Sequence, residues 1–284
     1  MVDAKLLSII RTALTTMFNW AFCNCLLSFL ILIPICSYAK ISTQCGIEKF
    51  KKYQIEYCLY EGQGPLLVFE APLGNGIKNW PKTFLKKLNQ FSTILVYNRI
   101  GVGRSFFYNK KIQAPVTAKF VSEHLHNLLK RLDLNKPIIL IAHSIGGIYA
   151  QYFIRNYPES IAALVLIDSS SSFEPKKNSP FQSKTPERKG STEYFESIGF
   201  NQSMDHVNSS PSFPNIPLLI ITATNHGSST LIETQWEKLQ KTMAKQSPQG
   251  KQIIAYGSGH FIYQDKPDLV INEIHNLIQK NRIR

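Results

Sequence analysis

Ile139-Leu140-Ile141-Ala142-His143-Ser144-Ile145-Gly146-Gly147 is an apolar run that meets a serine and ends in two glycines. The run is short and continuously apolar, so it reads as a strand buried on both faces. A helix beginning at once behind it forces a sharp turn at Ser144, and small neighbours relieve the crowding such a turn creates. On that turn the serine hydroxyl is thrust out of the sheet. The amide of Ile145 then points, from the positive end of a helix, to where an oxyanion would form.

Outward from this turn, Gln54 to Tyr60 reads as a strand with apolar residues at every second position (Ile55, Tyr57, Leu59), and short apolar runs recur at Pro65 to Glu70, Thr93 to Tyr97, Pro137 to Ala142, Ala162 to Ile167 and Pro217 to Thr222. Helical spacing of apolar residues fills the gaps at Ala118 to Leu132, Ile148 to Asn156, Glu233 to Ala244 and Pro267 to Gln279. Strands alternating with helices in this way predict a doubly wound, mostly parallel α/β sheet. One segment breaks the rhythm. Residues 169–212 are rich in serine, contain Pro175, Pro180, Pro186 and Pro211, and lack an apolar period. An insertion of that length at the carboxyl edge of a sheet reads as a cap or lid, with short helices around Thr192 to Ile198, or else as a solvated excursion.

The chain of 284 residues is 44% hydrophobic and 18% charged, which excludes a disordered, collagen-like or coiled-coil protein. Its formal charge of +13 comes from 32 Lys+Arg against 19 Asp+Glu, spread as scattered basic pairs without interleaved aromatics. A nucleic-acid partner is therefore not expected. Met17 to Cys36 carries no charged side chain, Lys5 and Arg11 precede it, and Ser37-Tyr38-Ala39 follows. Residues 1–39 are read as an export signal cleaved after Ala39, leaving a domain at 40–284 that is periplasmic or secreted. The alternative is an uncleaved membrane anchor at 17–36. Of five cysteines only Cys45 and Cys58 survive such cleavage. They pair in an oxidising compartment or stand as two free thiols.

A serine hydroxyl needs a base, and the base needs an orienting group. Gly257-Ser258-Gly259-His260-Phe261 ends a strand with a histidine among small and aromatic residues, making His260 the candidate base. Asp168 follows the buried run Leu164 to Ile167 directly. The later run Leu218 to Ile221 offers no carboxylate until Glu233, so Asp168 is the candidate acid. His143 is assigned a structural place beside the serine turn. Metal-ligand spacings and a phosphate loop are both lacking, so no metal and no cofactor is expected.

With these residues the sequence resembles the α/β-hydrolase fold superfamily, from about Ile55 to Ile278. Ala142 to Gly147 resembles its nucleophile elbow, with Ala142 for the usual glycine. Tyr97 to Ser105 resembles its aspartate-arginine-x-glycine loop, with Asn98 for the aspartate, and Gly257 to Phe261 resembles its histidine loop. Phe69 to Gly76 resembles the loop that completes the oxyanion hole. Pro72 there has no N–H, so Leu73 is the expected donor beside Ile145. The resemblance implies a cap insertion and an acid after the sixth strand. It also implies a serine hydrolase with Ser144 as nucleophile, His260 as base and Asp168 as orienting acid. A carboxylic ester, lipid ester, lactone or thioester is the implied substrate. A ligand-binding protein on the same fold, without turnover, is the alternative.

Overall fold

A computed structural model describes residues 42–134, 136–176, 179–180 and 188–283. The export segment at 1–39, its cleavage site and the anchor alternative at 17–36 lie outside the described residues. Two parts of the 169–212 insertion, 177–178 and 181–187, do so as well.

Two antiparallel strands, β1 (Thr43–Lys49) and β2 (Tyr53–Tyr60), open the domain with Cys45 directly opposite Cys58. The two cysteines form a disulfide with their Cα atoms 4.0 Å apart. Next come β3 (Leu66–Glu70), α1 (Lys82–Leu88), β4 (Thr93–Tyr97) and the two-residue β5 (Phe106–Phe107). They are followed by α2 (Ala118–Arg131), β6 (Ile138–His143), α3 (Gly146–Asn156) and β7 (Ile161–Ile167). The insertion supplies α4 (Thr192–Ile198) and α5 (Phe200–Asn208). The chain closes with β8 (Leu218–Ala223), α6 (Thr230–Ala244), β9 (Gly250–Ala255), α7 (Ile262–Asp265) and α8 (Pro267–Asn281).

The strands lie in the order β1-β2-β4-β3-β6-β7-β8-β9, with β5 beside β2, and every pairing from β4 to β9 is parallel. Alternation along each strand sorts its side chains between two layers. Phe69, Ile141, Val165, Ile167 and Ile221 face Phe84 of α1 and Val270 and Ile274 of α8. Val68, Leu140, Leu164, Leu166 and Ile220 face Leu125 of α2, Phe153 of α3 and Met243 of α6. Both faces are covered, which is why these strands read as unbroken apolar runs. β3 and β6 are neighbours although β4 lies on the other side of β3. The strand order thus reverses there and leaves a crevice beyond their carboxyl ends.

Several short or exposed elements escaped the sequence pattern. β1 is mostly exposed, α1 is barely two turns, and β5 is too short to alternate. β5 also makes the insertion follow the seventh strand along the chain instead of the sixth. The described part of the insertion is not a solvated excursion. Phe200, Met204 and Val207 of α5 pack on Val121 of α2 and on Ile148 and Tyr149 of α3. Among the described residues no helix is long and apolar enough to cross a membrane.

Candidate active site

Ser144 stands between β6 and α3 with φ at 56°, a left-handed conformation that a serine adopts only when its surroundings impose it. The imposing contacts come from both sides. Its N–H donates to the Ile167 carbonyl at 3.3 Å, and its carbonyl accepts from Ser170 at 3.0 Å and Gly147 at 2.9 Å. The two glycines are sterically required. A Cβ on Gly146 would lie 2.6 Å from the Ala71 carbonyl oxygen, and one on Gly147 would lie 1.5 Å from Ser169 Oγ.

Asp168 begins the segment after β7, also with positive φ (41°), and is wholly buried. Its Oδ1 accepts from the Trp236 indole at 2.7 Å and the Ala223 amide at 3.0 Å. Its Oδ2 meets two histidines. His260 Nδ1 lies 2.7 Å away, and so does His226 Nε2. His226 in turn presents Nδ1 to Glu233 Oε2 at 2.7 Å. Burial works against charge on His226, but hydrogen bonds to two carboxylates outweigh it and raise its pKa to about 9. His226 is therefore an imidazolium at neutral pH, donating at both nitrogens. Burial likewise disfavours the Asp168 anion. The bonds from His226 and His260 override it and hold Asp168 well below the usual carboxylate range.

Asp168, His226 and His260 bring three metal-type ligand atoms within 4.8 Å of one another. Hydrogen bonds already engage both nitrogens of His226, so a cation would have to displace a ring proton held by a carboxylate.

His143, fully buried, lies behind His260. Its Nε2 donates to the carbonyl of His260 at 2.9 Å, while Nδ1 faces the Tyr263 hydroxyl at 3.3 Å. Burial pushes its pKa down to about 3, keeping the ring neutral. It fixes the backbone of residue 260 instead of entering the cavity.

The loop after β3 is held by Arg99. All five of its N–H groups are used: on Glu196 (2.7 and 2.9 Å), on Glu70 (2.6 Å), and on the carbonyls of Ala71 and Pro72 (2.7 Å each). Glu70 also accepts from the Tyr97 hydroxyl. Glu196, on α4, accepts from the Gly74 amide at 2.7 Å. One buried guanidinium thus ties the insertion to the loop carrying Leu73. The N–H groups of Leu73 and Ile145 have no acceptor among the described residues.

Ser144, His260, Leu73 and Ile145 all line one cavity of about 360 Å³, together with His226 and Trp236 and with Ser170, Glu174, Ser197, Phe200 and Asn201 from the insertion. The residues singled out from sequence therefore converge. Sequence reasoning missed His226, Glu233 and Trp236, and it missed the grip of Arg99. The usable signal for His226 was position. It follows a buried strand at the same carboxyl edge as Asp168 and His260, where only a carboxylate was sought.

The family model described as the alpha/beta hydrolase fold matches residues 65–205. An uncharacterised protein of Bacillus subtilis, YqjL, is 26% identical over an alignment of 240 residues that covers 80% of this chain and 91% of that protein. A thermophilic esterase from Thermogutta terrifontis superposes with a TM-score of 0.61 at 16% identity, covering 84% of this chain and 99% of that one. A putative lipase from Acinetobacter baumannii does so with a TM-score of 0.60 at 16% identity, covering 84% and 92%. With the strand order, the turn at Ser144 and the family match in agreement, the chain has the α/β-hydrolase fold.

Proposed function

We propose that the protein is a serine hydrolase of ester bonds, the class comprising carboxylic esters, lipid esters, lactones and thioesters. The observation that carries this reading is the 2.7 Å contact between His260 Nδ1 and Asp168, in a cavity that Ser144 also lines. With Nδ1–H given to Asp168, the Nε2 of His260 is left unprotonated and able to take the Ser144 proton. Ser144 Oγ attacks the carbonyl carbon, and the carbonyl oxygen becomes an oxyanion received by the amides of Leu73 and Ile145. The imidazolium of His260 then protonates the leaving alcohol or thiol. Water, deprotonated by the same ring, hydrolyses the acyl-serine. Esterase and lipase likenesses among solved structures agree with this chemistry.

The test is covalent labelling by a fluorophosphonate, followed by a panel of p-nitrophenyl esters of increasing chain length. Labelling is expected at Ser144 and is abolished by Ser144→Ala and His260→Ala. Asp168→Asn should lower kcat by roughly 10³- to 10⁴-fold while the protein stays folded. A folded protein that neither labels nor turns over an ester is instead a binding protein on this fold. The Cys45–Cys58 bond supports a companion proposal, that the chain is exported with cleavage after Ala39. The mass of the mature N-terminus separates this from retention of 17–36 as an anchor.

A further inference from the structure

Glu174 is a carboxyl that the mechanism does not use. It lies in the insertion, is 95% buried by its 5% exposure, and lines the cavity that holds Ser144 and His260. Its Oε1 accepts from the Ser171 amide at 2.8 Å, and the Ser170 hydroxyl also bonds it. Ser170 N–H in turn donates to the Ser144 carbonyl. The carboxyl is thus one residue removed from the backbone of the serine turn.

The other buried carboxylates around the site each face a cation. Glu70 and Glu196 share Arg99, and Asp168 has His226. Glu174 enters no ion pair among the described residues, and burial pushes its pKa up to about 7. A buried carboxyl stabilised only by neutral donors gains most from a cation arriving beside it. Behind the adjoining wall the charge of His226 is more than offset. Asp168 and Glu233 set two negative charges against the single positive charge of His226, whose N–H groups both point to those carboxylates. The Asp168–His226–Glu233 cluster is therefore net negative, although only His226 of the three lines the cavity. Ser170, Ser197 and Asn201 add hydrogen-bonding groups near Glu174, while Leu73, Ile145 and Phe200 supply apolar surface.

We propose that Glu174 is an anionic subsite, and that the substrate is an ester carrying an ammonium group a few atoms from the carbonyl that Ser144 attacks. The proposal rests on the ester-hydrolase reading and adds the chemical class of its substrate. The ammonium enters the cavity with its charge against Glu174. The chain joining it to the ester lies on Leu73 and Phe200, and the carbonyl reaches Ser144.

The test uses matched esters at pH 8 with the full-length protein. Butyrylthiocholine is compared with 3,3-dimethylbutyl thiobutyrate, which places the charge on the leaving-group side. The compound p-nitrophenyl 6-aminohexanoate is compared with p-nitrophenyl hexanoate, which places it on the acyl side. In at least one pair the cationic ester should have a kcat/KM about tenfold or more above its neutral partner. Glu174→Gln should bring that ratio towards one, whatever it does to either absolute rate. A wild-type ratio near one in both pairs overturns the proposal, and so does a ratio that Glu174→Gln leaves unchanged. A second measurement needs no variant. Butyltrimethylammonium should slow fluorophosphonate labelling of the wild type more than 3,3-dimethylbutanol does, and equal protection counts against the subsite. Labelling with hydrolysis of neutral esters but no cation preference sinks the subsite alone. Absence of both labelling and turnover sinks the hydrolase reading with it.

Discussion

His226 gives one ring proton to Asp168 and the other to Glu233, so it partly neutralises the same oxygen that His260 relies on. His226→Gln keeps a donor but removes the charge, leaving Asp168 more strongly negative beside His260. The acid limb of the kcat/KM profile should then move to higher pH, and an unmoved limb would show that His226 only fills space. Stability gives an independent readout. The pKa of His226 rises from 6.5 to about 9 on folding, so its contribution is fully present below 6.5 and is lost as pH climbs through 9. Melting temperature in the wild type should fall across that window, and the fall should be shallower in His226→Gln. Glu174 has the opposite kind of shift, a carboxyl raised from 4.5 to about 7, so it weakens the fold progressively as pH rises between those values. Ser144 and His260 were legible because each sits in a local context, strand then small residues, that a linear string displays. His226 was not, since its meaning depends on two carboxylates, 58 residues before and 7 after it, that only the folded chain brings to its ring.

At the level of elements, the Arg99 cluster joins β3, β4 and α4 through one side chain. Arg99→Met would strand Glu70 and Glu196 in a buried site without a counter-ion, a loss of roughly 3–5 kcal/mol. Thermal or urea unfolding of the variant should register it. Adding Glu70→Gln and Glu196→Gln should recover part of the stability, because the uncompensated charges go with the cation. Esterase rate should not recover to the same extent in the triple variant, since the carbonyls of Ala71 and Pro72 would still lack their donor and the Leu73 amide its support. The strands and long helices of this layer were readable from periodicity, with α3 beginning at Gly146, two residues ahead of where its apolar spacing starts. The cluster was not readable. Asn98-Arg99 stands out as part of a loop motif, but Glu196 lies 97 residues from Arg99 in a segment without an apolar period.

For the molecule as a whole, the sheet ends in an edge strand, β1, that is mostly exposed and that the disulfide fastens to β2. Closing a loop of this size contributes about 3 kcal/mol by restricting the unfolded chain. Reduction, or Cys45→Ser with Cys58→Ser, should lower the melting temperature while ester hydrolysis at 25 °C continues, because neither cysteine is near the cavity lining. The global architecture was visible in sequence since a parallel sheet covered on both faces writes itself as repeated apolar runs. The antiparallel margin was less visible because its residues face water. The junction after β7 has one more implication. Asp168 and the insertion are consecutive along the chain, and only five residues separate that acid from Glu174. The first of them are pinned, with Ser169 O held by Gln240 and Ser170 O by Gln151. Anyone swapping this segment for that of a relative to alter selectivity would be splicing directly onto the Asp168–His260 hydrogen bond, so a graft should start beyond residue 174 and not at the strand's end.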